Sequence, residues 1–355
     1  MFCHETYVFA SEEEAIKHME TCPALLSQMG NETHEFTING GGAASTKATN
    51  NAPLPSTTGR ITNIFHRPNV DDNKEYFRES HQKTKISSLG LANSFDWHSK
   101  PKTLKKNPQY PPEERGVLVQ TRGNALSLES HFSSDPKYAN NGPKTPFTQP
   151  GAWAENLTVD DSEGLMSNKR VCVGDIFSIC SKNVTLIVTS PRRPCSKIDL
   201  KFSRGYTKRD VRAECARSGL AGFFCKVVVA DGADSADVSV GDEIRLVSRP
   251  NPRWTMERIS RLIYGSDTAV MNYPVRNIMR SEWTGTGEEL NELNELDGLA
   301  VCEYKEELTA MLTEEAARDT GVVLKKIDGL SNTSKAGILL SVAAAIIIAK
   351  YYKKI

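Results

Sequence analysis

A mainly β chain, with a barrel between about residues 115 and 265 and a small helical unit behind it, is the fold class that three features of the sequence predict. Short β-branched runs bounded by turn residues recur at Val117 to Thr121, Val171 to Ile179, Val184 to Thr189, Phe223 to Ala230 and Glu243 to Val247, and this spacing favours a barrel. Two runs open on the same turn, Val173-Gly174-Asp175 and Val240-Gly241-Asp242, in which glycine takes a positive φ and aspartate bonds nearby backbone. Farther on, Gly287 to Ala317 is dense in Leu, Glu and Ala and has no proline, the composition of a helical unit with a solvated charged face.

Ahead of the barrel, residues 1–35 read as a small segment with a helix around Glu12 to Glu20. Residues 36–58 read as a flexible linker, because Asn39 to Thr58 is rich in Gly, Ala, Ser, Thr, Asn and Pro. Residues 59–114 begin with a strand, Gly59 to Phe65, and continue as a polar stretch with little periodicity, expected to be a long insertion or partly disordered. The barrel proper is expected over 115–254 and the helical domain over 255–320. Two further helices are predicted, Tyr206 to Arg217 and Trp254 to Tyr264.

The 355 residues suffice for one or two domains with a core of normal size, and 44 basic residues against 44 acidic ones give a formal net charge of zero. No general attraction to nucleic acid or anionic lipid follows, and no nucleic-acid partner is expected. The 8 cysteines are spread along a chain without a secretory signal, so reduced thiols facing the cytosol are expected. The Asn-x-Ser/Thr triplets at Asn31, Asn156, Asn183 and Asn332 are then chance occurrences. Cys3, His18 and Cys22 resemble a degenerate zinc finger, but only His4 remains as a fourth ligand, and adjacent Cys3 and His4 suit tetrahedral geometry poorly.

Residues 336–352 are expected to form a tail-anchor transmembrane helix. Ala336 to Ala349 is uncharged and mostly apolar, flanked by Lys335, Lys350, Lys353 and Lys354, with Tyr351 and Tyr352 at the boundary. At ~1.5 Å per residue the run reaches about 21 Å against a hydrocarbon core of ~30 Å, so snorkelling lysines and a thin membrane must supply the difference. An apolar helix packed on the barrel is the competing reading; the terminal position and basic flanks favour the anchor. Such an anchor points to the mitochondrial outer membrane, with peroxisome or endoplasmic reticulum as alternatives.

The most informative stretch is Thr189-Ser190-Pro191-Arg192-Arg193-Pro194-Cys195-Ser196-Lys197. Two prolines stiffen the loop. Arg192, Arg193 and Lys197 place positive charge around Cys195, which favours the thiolate that ligates metal or carries sulfur, and the arginines suit bidentate binding of phosphate. A buried cysteine beside surface arginines fits the local residues as well, and they leave both readings open.

Three segments resemble successive signatures of the MOSC family in order and spacing: Gly151-Ala152-Trp153-Ala154-Glu155-Asn156-Leu157-Thr158, Cys172-Val173-Gly174-Asp175-Ile176-Phe177 and Ser190 to Cys195. Gly222-Phe223-Phe224, Val240 to Glu243 and Arg249-Pro250-Asn251-Pro252-Arg253-Trp254-Thr255 resemble the closing segments of the bacterial N-hydroxylaminopurine-reductase branch, which adds three helices. Trp254 to Arg318 is similar to that addition, with Gly265 to Gly287 as an insertion. The resemblance implies a pyruvate-kinase-insert-like β-barrel holding molybdopterin, with Cys195 as molybdenum ligand and catalytic residue. It places Asn156 and Arg192 at the cofactor, with Arg193, Glu155, Thr158 and Lys197 as further cofactor-binding candidates; a turn-stabilising role fits Glu155 and Thr158 equally well. Two departures stand out: the His-Gly-Gly segment of many members is missing between Gly123 and Gly142, and Ala154 stands where a glycine is usual.

What the resemblance implies is a molybdenum oxidoreductase acting on N-hydroxylated small molecules such as amidoximes and hydroxylaminopurines. The chain has no flavin, haem or dinucleotide fingerprint, so a separate donor is needed; in the related mitochondrial enzymes a cytochrome b5 and its flavin reductase serve. Two other classes compete: a sulfur-carrier or cofactor-docking module using a Cys195 persulfide, and a non-catalytic membrane-anchored assembly protein.

Overall fold

The computed structural model describes residues 58–67, 79–94, 112–134, 136, 143, 145–161, 164, 166–179, 182–194, 196–202, 210–230, 232–265, 283–300 and 304–319, with 8–9 and 37–38 besides. The strands are β1 (Val8–Phe9), β2 (Thr37–Ile38), β3 (Thr58–His66), β4 (Glu79–His81), β5 (Lys83–Ser87), β6 (Gly90–Leu91), β7 (Val117–Thr121), β8 (Leu157–Asp160), β9 (Ile176–Ile179), β10 (Val184–Pro191), β11 (Phe223–Val229), β12 (Ala236–Ser239) and β13 (Glu243–Ser248). The helices are α1 (Arg122–Ser134), α2 (Ser196–Phe202), α3 (Asp210–Ser218), α4 (Met256–Tyr264), α5 (Gly287–Glu295) and α6 (Glu306–Asp319).

Neighbouring strands run in the order β13, β9, β10, β11, β7, β8, β3, and a β13–β3 pairing closes the ring, with β4 added outside β3. The sequence-predicted barrel is therefore present, closed by seven strands. All its pairs are antiparallel except β7 with β8, which run parallel through Val119↔Leu157 and Thr121↔Val159. Parallel neighbours require a crossover, and α1 lies on it. Neither β8 nor α1 was legible in sequence: β8 has four residues, and α1 buries Asn124 where a helical apolar stripe would carry a hydrophobe.

Between His66 and Glu114, the stretch expected to be a long insertion or partly disordered, residues 79–94 carry regular structure. Strands β4, β5 and β6 form there, and β5 pairs with β6 and β12 in a separate three-stranded sheet. Lys83-Thr84-Lys85-Ile86-Ser87 alternates only weakly because Ile86 alone is fully buried, so the pairing comes from distant β12. The helix at residues 12–20, residues 36 and 39–57 of the expected linker, the metal-like pattern of Cys3, His4, His18 and Cys22, and the run at 336–352 lie outside the described residues, whereas residues 37–38 of that linker form β2 and residue 58 opens β3. No helix among the described residues is long and apolar enough to cross a membrane.

The barrel interior is filled by Ile61, Val119, Val159, Phe177, Leu186, Val188, Phe223 and Ile244, and the same core continues into Trp254, Ile259, Ile263, Leu290, Leu293 and Leu308 of the helical unit. Barrel and helices thus share one hydrophobic core. Their seam is also polar: Trp254 Nε1 donates to Glu292 Oε1 at 2.7 Å, and the guanidiniums of Arg253 and Arg258 lie 5.5 and 5.2 Å from the indole centroid. Thr286 and Glu289 cap α5 reciprocally at 3.1 and 2.9 Å, and that backbone bond, with Arg258 second, lowers the Glu289 pKa.

Both Val-Gly-Asp turns close as their chemistry predicts. Cys172 N donates to Asp175 Oδ2 at 2.9 Å, and Ser239 N donates to Asp242 Oδ2 at 2.8 Å. Gly174 takes φ +78°, and a Cβ there would approach Asn251 Nδ2 to 2.8 Å. Asp175 does more than turn the chain, because its fully buried carboxylate also receives Arg249 Nε at 2.9 Å and Nη2 at 2.8 Å.

Candidate functional site

Past a bulge between Val188 and Ser190, β10 keeps its pairing with β11 through Ser190↔Phe224 and Pro191↔Phe223, and the chain leaves the strand at Arg192. Pro191 and Pro194 offer no N–H to the ladder. Arg192 N donates to Gly222 O at 2.9 Å. Gly222 adopts φ +98°, and a Cβ there would lie 2.5 Å from Val119 O, so only glycine lets the two strands and the turn meet. From the helical side, Ala300 N donates to Thr189 O at 3.0 Å and Tyr304 OH donates to Pro191 O at 2.9 Å.

The two motif arginines diverge. Arg193 turns toward the helical unit, its guanidinium 4.8 Å from the Tyr304 ring centroid and 6.0 Å from that of Tyr264. Arg192 turns inward, is 7% exposed and donates through Nη1 to Trp153 O. No carboxylate pairs with it among the described residues; nearby Asp199 is engaged by Arg212 at 3.3 Å. Ser190, just before, is fully buried, and its Oγ has no hydrogen-bond partner among the described residues. A buried cation and a buried hydroxyl within one turn are thus left with unused hydrogen-bonding capacity.

The segment from Gly151 to Thr158 forms the opposite wall. Glu155, 1% exposed, accepts from Gly151 N at 2.7 Å, Trp153 N at 3.1 Å and Thr158 Oγ1 at 2.8 Å. Asn156 substitutes for a strand neighbour, its Oδ1 accepting from Leu118 N at 2.9 Å while its N–H donates to Leu118 O at 2.9 Å. The oxygens of Glu155 and Asn156 and the hydroxyl of Thr158 are therefore directed at holding this turn, which presents the Trp153 carbonyl to Arg192. Ala154 sits at φ +54°, in the left-handed region that favours glycine.

Behind Trp153 lies a second apolar core of Leu128, Phe132, Phe147, Phe202, Val211 and Leu220, from α1, α2, α3 and the intervening turns. Trp153 Nε1 donates to Phe147 O at 2.8 Å, and its ring centroid lies 4.4 Å from that of Phe202. A buried amide network that no sequence signal disclosed supports the floor. Asn124 Nδ2 donates to Gln120 Oε1 at 3.2 Å and Asn168 Oδ1 at 2.5 Å, Asn168 Nδ2 donates to Gly219 O, and Gln120 Nε2 donates to Leu220 O at 3.0 Å. It pins residues 219–222, whose last carbonyl receives Arg192 N.

Of the sequence-predicted site residues, the structure brings Arg192, Glu155, Asn156 and Thr158 into one connected arrangement and sends Arg193 elsewhere. Cys195 lies outside the described residues. Lys197 falls on α2, and its side chain lies outside them too. Of the other cysteines, Cys172, Cys215 and Cys225 are buried and free; burial pushes the Cys172 thiol up to about 12 and the other two higher still, which makes all three poor nucleophiles.

Residues 117–245 match the MOSC domain family. A Gibberella moniliformis protein named reductase is 32% identical over 126 residues, which is 35% of this chain and 20% of that protein. The match thus spans one fifth of the relative's length. Among solved structures, YiiM from Geobacillus stearothermophilus aligns over 72% of this chain and 99% of its own at 16% identity, with a TM-score of 0.47. YiiM from Escherichia coli aligns over 75% and 96% at 17% identity, with a TM-score of 0.44.

Proposed function

We propose that this chain, which carries a MOSC domain across residues 117–245, binds a molybdopterin cofactor and reduces N-hydroxylated compounds such as amidoximes and hydroxylaminopurines. The observation that carries the reading is Arg192, a buried guanidinium without a carboxylate partner among the described residues, one turn from the unpartnered Ser190 Oγ. An isolated buried cation is costly, and an anionic ligand offsets that cost. A phosphate-bearing pterin suits this donor set: Arg192 binds the phosphate and Ser190 adds a neutral donor. Cys195, which follows in the same motif, supplies the thiolate to molybdenum.

When bound, the cofactor supplies the two-electron chemistry that reduces an N–O bond. The chain's own part is orientation and exclusion of water. Glu155 and Thr158 lock the turn whose Trp153 carbonyl steers Arg192, Asn156 ties that turn to β7, and the Trp153–Phe147–Phe202 cluster keeps water from its inner side. The family match and the reductase name of the Gibberella relative lend support. Electrons come from a separate donor of the cytochrome b5 and flavin reductase kind, and an anchor at 336–352 would hold the chain on the same membrane as that donor.

Turnover of benzamidoxime with reduced viologen tests this, using protein from a host that makes the cofactor. Wild type is expected to form benzamidine, and Cys195→Ala to lose at least about hundredfold of that rate, since even outer partners of metal ligands are worth 10–100-fold. Equal rates in the two proteins would remove Cys195 from the reaction.

A further inference from the structure

We infer that Arg115 is a second cation of the anion site formed by Ser190 and Arg192, so that a phosphate there is gripped by two guanidiniums. The inference rests on the reading of that site as the seat of the cofactor's phosphate, and it names a further residue that binds it. Its basis is one face of the barrel sheet. Ser190 pairs with Phe224, and Phe224 with Leu118, so these three side chains stand in a row across β10, β11 and β7. Their chain neighbours Phe223 and Val119 fill the barrel, which turns the row to the outer face. Arg192 N bonds Gly222 O in the same register, and strand alternation puts the Arg192 side chain on the face of Ser190. The Arg115 guanidinium lies over the Phe224 ring, 4.3 Å from its centroid, and therefore on that face too.

Arg115 is held in place from two directions. It ends a short 3-10 turn, Pro112–Arg115, whose Glu114 carbonyl accepts from Thr189 Oγ1 at 2.6 Å, one residue before Ser190. The next residue, Gly116, leaves little room for a side chain: a Cβ there would lie 3.1 Å from Ser88 O and 3.2 Å from the Val227 side chain. The β5–β6 turn thus presses on the backbone that carries Arg115. Stacking on Phe224 uses the face of the guanidinium, and phosphate oxygens bind the N–H groups in its plane. Ser190 Oγ, fully buried and without a hydrogen-bond partner among the described residues, sits beside the ring that carries Arg115 and two residues before Arg192. Two cations and a neutral hydroxyl on one face suit a phosphate dianion better than either arginine alone.

The test is equilibrium dialysis with radiolabelled inorganic phosphate at constant ionic strength, on the full-length chain from a host that makes no cofactor. Arg115→Gln is expected to weaken phosphate binding by about tenfold or more, because it removes a charge-assisted bond. Arg122→Gln removes the same charge from an exposed position on α1 and is expected to keep wild-type affinity. Phenylglyoxal labelling of the unsubstituted chain, followed by peptide mass spectrometry, needs no variant: phosphate should slow modification of Arg115 and leave Arg122 unaffected. Wild-type affinity in Arg115→Gln, an equal loss in Arg122→Gln, or no protection of Arg115 would overturn the inference, as would a wild-type chain that takes up no phosphate. Cofactor-loaded protein then identifies the source of the phosphate. Loss of phosphate uptake there assigns the site to the cofactor, whereas undiminished uptake assigns it to a separate phosphate ester and counts against the cofactor reading alone.

Discussion

Arg249→Ala is expected to destabilise the fold by about 3–5 kcal/mol at neutral pH, read as a lower denaturation midpoint. Arg249 is the partner of a carboxylate that has no exposure to solvent, and Asp175 would retain only the Cys172 N–H once both guanidinium bonds are gone. The loss falls on the junction between β9, the residues after β13 and the start of the helical unit, which the buried pair ties together. Its pH dependence has a definite sign. Burial raises the Asp175 pKa above its ordinary value, while the bonds from Arg249 pull it back. Without Arg249 the folded-state value rises further, so the folded variant holds a proton that the unfolded chain releases. That contribution favours folding at low pH and is lost as pH rises through the folded value. The deficit relative to wild type should therefore be smaller near about pH 5 than near about pH 8, and equal deficits at both would contradict the assignment.

Arg192→Gln should behave in the opposite way. This guanidinium is as buried as a structural arginine, yet among the described residues it has no carboxylate to leave stranded, so the empty protein is expected to keep its stability within about 1 kcal/mol. Cofactor retention is where the loss appears. Removing a charge-assisted bond to phosphate costs about 1.5–3 kcal/mol, or roughly 10–150-fold in affinity, read as pterin recovered per chain after gel filtration. A variant that unfolds as Arg249→Ala does, or that keeps its pterin, would show Arg192 to be a structural residue. The two arginines together separate what builds this barrel from what the barrel holds.

How far the sequence reveals this depends on whether each element declares itself locally. β7, β10, β11 and β13 are short runs containing β-branched residues and bounded by turn residues, and the Val-Gly-Asp turns announce themselves by residue type, so the barrel is legible. The crossover through α1 is not, because Asn124 finds one partner, Asn168, 44 residues away and another, Gln120, only four residues back, and a buried amide network looks like loop when read in sequence. The motif residues divide for a similar reason. Charge and prolines mark the Ser190 to Cys195 turn, but only the fold shows that Arg193 is drawn off by Tyr304 while Arg192 is left facing inward. Glu155 is a cofactor-binding candidate through the resemblance alone, with a turn-stabilising role equally open, and three donors within 3.1 Å fit the second role.

The central claim is that the Ser190 to Cys195 turn holds a molybdenum cofactor. Molybdenum per chain, measured by inductively coupled plasma mass spectrometry on wild type and Cys195→Ala from a cofactor-making host, tests it most directly. Near-stoichiometric metal in wild type and its loss in the variant is the expected result. Absence of molybdenum from both proteins would contradict the claim, and labile sulfur on wild type alone would point to persulfide transfer by the same cysteine.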